Sequence, residues 1–160
     1  MPRQYDEDND EWTERDQALF DATRKRVLGG RPALKSFREL EAALIWLPAH
    51  RLVHEDVCDG NDVCAVGAFA LWKQVAAGKD GLAYLDAVAE EQEDGEFDNI
   101  WETGLLAKYN GMSHSLGLVI AEANDWFPEL TPEARYDAVL AWTRRHIARL
   151  EAKHGKAVKR

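Results

Sequence analysis

The run DVCAVGAFALWKQVAAG, residues 62–78, constrains the fold more than any other segment. Between Val63 and Ala77 only Lys73 and Gln74 are strongly polar, so a helix here is apolar around most of its circumference. Such a helix needs neighbours on nearly every side, which places it at the centre of a bundle. It falls short of the ~20 apolar residues that cross a bilayer. Gly67 and Ala68 are small enough for another backbone to approach closely. Asn61 or Asp62 is expected as the N-cap, after the turn dipeptide Asp59-Gly60.

The rest of the chain is punctuated in the same helical manner. Thr13 is expected to cap a helix that stops at Gly29-Gly30. Ser36 and Glu39 read as a capping box for a second helix through Trp46, closed by Pro48. After the central helix, DGLAYLDAVAEEQEDGE carries Leu82, Leu85, Val88 and Ala89 at helical spacing, and FDNIWETGLLAKYNG carries Phe97, Ile100, Trp101 and Leu105. SHSLGLVIAEAND predicts a short sixth helix, ended by Asn124-Asp125. The last helix has Thr131 as cap, Pro132 at its first position and an inward stripe of Tyr136, Leu140, Thr143, Ile147 and Leu150. Arg144, Arg145, Arg149, Lys153 and Lys156 are expected in solvent. No segment alternates as a strand does, and no repeat is visible. The fold class is therefore all-α, a compact bundle of about six or seven helices around the central one.

At 160 residues the chain fits one domain that needs no metal or disulfide to hold a core. The division expected is an acidic N-terminal segment at 1–12, a helical domain at 13–154 and a basic tail at 155–160. The N-terminus MPRQYDEDND is polar and carries no secretory signal; with only two cysteines, this predicts a cytoplasmic protein with free thiols.

His50, His54, Cys58 and Cys64 lie within fifteen positions and raise the question of a metal. The set could form a tetrahedral zinc site, but it lacks the paired short Cys-x2-4-Cys knuckle of a finger. If residues 50, 54 and 58 climbed one helix they would spread over ~12 Å, too far for one ion. The Asp-rich turn has no calcium-loop pattern. The leading expectation is no metal and no cofactor, with Cys64 packed inward as a small hydrophobe. A second possibility is a reactive Cys64 at a helix N-terminus, completed by His114 and Asn124, although no local signature of such an enzyme is present. A Cys58–Cys64 disulfide disagrees with the expected compartment.

The net charge of −9 is unevenly distributed. Residues 1–17 carry seven acids against two arginines, and 80–107 carry nine acids and no base, whereas 144–160 carry seven bases against Glu151. Net acidity argues against direct nucleic-acid binding and for a partner with a basic surface. Glu90, Glu91, Glu93, Asp94, Glu96 and Asp98 are the densest acids and the candidate partner-binding residues, with Phe97 and Trp101 as flanking apolar anchors.

CAVGA at 64–68, AEANDW at 121–126 and the opening TPEARYDAVLAW of the last helix together resemble a group of small uncharacterised bacterial and phage proteins. These share a Cys-x-x-Gly-Ala helix start and a later Asn-Asp before a Thr-initiated last helix. The resemblance implies an all-helical fold with Cys64, Gly67, Asn124 and Asp125 as structural marks, and carries no function. The expectation is a non-enzymatic acidic interaction protein of phage or mobile-element origin that binds or inhibits a basic host protein, such as one that handles nucleic acid. The alternative is a small metal protein or enzyme centred on the cysteines and histidines.

Overall fold

The computed structural model describes residues 14–54, 56–93, 99–126 and 128–155. Among them the chain forms α1 (Glu14–Gly29), α2 (Arg31–Trp46), a hairpin of β1 (Cys58–Asp59) and β2 (Asp62–Val63), then α3 (Ala65–Ala76), α4 (Gly81–Glu93), α5 (Asn99–Tyr109), α6 (His114–Asp125) and α7 (Pro132–His154). The all-helical bundle is as expected. Thr13, the whole acidic N-terminal segment at 1–12 and residues 156–160 of the basic tail, Lys156 among them, lie outside the described residues. No helix among the described residues is long and apolar enough to cross a membrane.

α3 occupies the centre and packs against α2, α4, α5 and α6. Every residue from Ala65 to Leu71 is buried, and Phe69 is wholly enclosed. The outer layer is closed by α7 against α2 and by α6 against α5. Tyr136, Val139, Trp142, Thr143, Ile147 and Leu150 form the buried face of α7, with Leu140 half-buried beside them. Thr131 caps α7 by accepting the Ala134 N–H at 3.1 Å, and Ser113 caps α6 by accepting the Leu116 N–H at 3.2 Å. Each cap satisfies a backbone donor that the first helical turn leaves over.

Three local expectations are corrected. α2 begins at Arg31, with Gly30 as N-cap and Pro32 in the first turn, so Ser36 and Glu39 are not a capping box. Pro32, with its fixed φ and missing N–H, helps start the helix six residues earlier; Ser36 is then buried mid-helix. The central helix starts at Ala65 rather than Asp62, because Asp62 and Val63 pair with Asp59 and Cys58. Two-residue strands are too short to show alternation in sequence. Gly60 turns this hairpin with φ at 62°, a left-handed conformation open to glycine. Leu82, read at one helical spacing with Leu85, Val88 and Ala89, does not share the burial of the first two: it is 40% exposed, while Leu85 is buried and Val88 half-buried.

The basic end of α7 does more than sit in water. Arg149 Nη2 donates to the Leu28 carbonyl at 2.7 Å, Lys153 Nζ to the Gly29 carbonyl at 3.0 Å, and His154 Nε2 lies 2.8 Å from the same oxygen. These groups serve the carbonyl end of α1, where positive charge complements the helix dipole.

Candidate functional site

The opening of α3, the hairpin and the first turns of α4 meet in one region. Cys64 is the N-cap of α3, and its Sγ accepts the Gly67 N–H at 3.3 Å. Its own N–H donates to the Val57 carbonyl at 3.0 Å. A side chain at Gly67 would place its Cβ 2.5 Å from that Val57 oxygen and 3.1 Å from Val63 Cβ. The loop backbone therefore lies directly on the helix, the close approach that the small residues predicted.

Asn124, at the end of α6, ties this region to the rest of the bundle. Its Oδ1 accepts the Ala65 N–H at 3.0 Å, and its Nδ2 donates to the Val53 carbonyl at 2.9 Å and to Asp125 Oδ1 at 2.8 Å. Arg135 of α7 is 2% exposed and donates through Nε to the Asn124 carbonyl at 2.9 Å. A buried guanidinium at the carboxyl end of α6 thus meets the negative end of that helix. Asn124 is a structural bridge across 59 residues of chain, a role that the expected helix stop did not include.

The arrangement does not support a nucleophilic cysteine. Burial pushes the Cys64 thiol up to about 12, outweighing the Gly67 N–H that favours the thiolate. Burial also raises Cys58, with Asp86, Asp56 and Asp59 adding like charge. His114 and Asn124 stand ten residues apart on one helix, ~15 Å along its axis, so the two cannot both serve Cys64. The His50, His54, Cys58 and Cys64 set does not assemble either: among the described residues no three histidine, cysteine or acidic side chains gather as metal ligands. His50 instead stacks on Tyr136, ring centroids 4.9 Å apart, at the turn where Leu52 N–H donates to the Pro132 carbonyl.

What the region does gather is negative charge. Asp56 and Asp59 from the loop and hairpin face the Cys58 thiol together with Asp86 from α4, and all three are exposed. Glu90 is exposed one turn further along α4. Five other acids are matched by bases: Glu39 by Lys73 and Lys35, Glu41 by Arg144, Asp62 by Arg51, Glu122 by Arg24 and Glu151 by Arg38. Among the described residues no base pairs with Asp56, Asp59, Asp86 or Glu90. Of the other acids singled out in sequence, Glu91 and Glu93 occupy the last turn of α4. Asp94, Glu96 and Asp98, with Phe97, lie outside the described residues. Trp101 is on α5. Sequence reasoning missed Asp56, Asp59 and Asp86 because only the hairpin and the packing of β1 on α4 bring them together.

No protein-family model matches this chain, and no curated protein or solved structure matches it.

Proposed function

We propose that the protein is a non-enzymatic binding protein whose unneutralised acidic face docks a partner protein with a basic surface in the cytoplasm. The observation that carries this reading is the clustering around Cys58 of the exposed carboxylates Asp56, Asp59 and Asp86, with Glu90 one turn further on, none of them in an ion pair among the described residues. An ion pair cancels most of its own field, whereas unpaired surface acids project theirs and steer a cationic partner. In sequence the acidic run goes on through Glu91 and Glu93 to the end of α4. A protein that itself holds nucleic acid presents the complementary surface, since carboxylates can stand where phosphates would. The hairpin and α4 form a firm platform, because Cys58 Sγ lies 3.9 Å from the Leu85 carbonyl and the loop is locked to α3 and α6.

Affinity capture from cells tests the reading when the parent is compared with a variant carrying Asp56→Lys, Asp59→Lys, Asp86→Lys and Glu90→Lys. A basic protein retained by the parent and lost by the folded variant supports it. Retention of the same proteins by both contradicts it.

A further inference from the structure

A second surface of opposite character lies across the N-terminal ends of α2 and α6. It is a half-open cavity of about 380 Å³ between the last turn of α1, the first turns of α2 and the segment leading into α6. That volume falls in the range of ~300–1,000 Å³ common to small-molecule sites. Gly30, Pro32 and Ala33 line it from α2, and Gly111, Ser113 and Leu116 from the α6 side. Two helix dipoles therefore present their positive ends to one space. Gly30 caps α2 without a side-chain hydrogen bond, so the Arg31 and Ala33 N–H groups, Pro32 having none, keep their capacity for an acceptor.

The side chains agree with the backbone. Arg26 and Lys35 line the cavity, and no acidic residue does. Ser36 also lines it, although it is only 8% exposed, and no hydrogen bond joins its hydroxyl to another described residue. The residue is buried, and the cavity it lines is what leaves its hydroxyl open to a ligand. The carbonyl end of α1, which would repel an anion, is occupied by Arg149, Lys153 and His154.

We infer that this cavity binds a phosphate group, either as the free ion or as the head of a small monoester. Arg26 and Lys35 supply charge, the amides at the start of α2 supply oriented donors, and the Ser36 hydroxyl donates from the floor. A tetrahedral dianion satisfies all three kinds of donor at once.

The test titrates the full chain with inorganic phosphate at pH 7.5 and constant ionic strength, following the backbone amide resonances of Arg31, Ala33 and Ser36. Saturable shifts at these positions are expected, with affinity at least tenfold weaker in folded Arg26→Glu and Lys35→Glu and a few-fold weaker in Ser36→Ala. Lys79→Glu, an equal charge change at an exposed site outside the cavity, should leave affinity unchanged. A parallel titration with ribose 5-phosphate separates the sources: tighter binding than phosphate assigns the site to esters, weaker binding to the free ion. Shifts that grow linearly for both ligands, or an equal loss of affinity in Lys79→Glu and Lys35→Glu, would overturn the proposal.

Discussion

Asn124 accepts the N–H of Ala65 at 3.0 Å and so closes the first turn of the central helix from the end of another. The same amide holds the Val53 carbonyl at 2.9 Å. Asn124→Ala removes both partners and leaves a buried N–H and a loop carbonyl without hydrogen bonds. The expected loss is about 2–4 kcal/mol, read from urea denaturation. Asn124→Asp keeps the acceptor but loses the donor and sets a carboxylate beside Asp125, so it should also destabilise.

Gly67 faces the Val57 carbonyl so closely that any side chain must displace backbone. Gly67→Ala gains helix propensity of about 1 kcal/mol, but steric overlap outweighs it, for a net loss of about 1–3 kcal/mol. A rise in melting temperature would show that the loop yields freely.

Thr143 is fully buried in α7, and its hydroxyl has no hydrogen-bond partner among the described residues. Val has nearly the same shape without the polar atom. Thr143→Val should therefore stabilise by about 1 kcal/mol, visible as a higher denaturation midpoint with an unchanged slope.

His146 stacks on Phe37 with ring centroids 5.0 Å apart and meets the edge of Trp142. Burial, reinforced by Arg149, Arg145 and Arg24, holds its pKa down to about 4 against an ordinary 6.5. The unfolded chain then binds the proton more readily than the folded one. The His146 contribution to stability is complete above pH 6.5 and is lost as pH falls from there towards 4. Chemical denaturation across this window should show a steeper loss in the parent than in His146→Gln, since other titrating groups are common to both.

The sequence made the helical class and the core of the bundle legible because α3, α6 and α7 carry strong local signals. A nearly all-apolar run, Ser113 and the Thr131-Pro132 pair each act within a few residues. The hairpin was not legible, since its strands are two residues long and its pairing is set by the turn at Gly60. The start of α2 was misplaced because Ser36 and Glu39 satisfy a capping pattern, while Gly30 and Pro32 satisfy a stronger one six residues earlier. Charge runs were visible, but neutralisation was not. Lys73 reaching Glu39 and Arg38 reaching Glu151 depend on tertiary contacts that no local pattern encodes. The acids that remain unpaired could be identified only after those pairings were known.

The acidic face is tested most directly by the salt dependence of association with a basic partner recovered by affinity capture. The parent should associate faster as ionic strength falls, because screening of exposed charges weakens over a Debye length that grows from ~10 Å at 0.1 M to ~30 Å at 0.01 M. Asp56→Lys, Asp59→Lys, Asp86→Lys and Glu90→Lys together should slow association at low salt by at least tenfold and flatten that dependence, while circular dichroism stays unchanged. An association rate equal to that of the parent at low salt would contradict the account and reduce the face to a solvated surface.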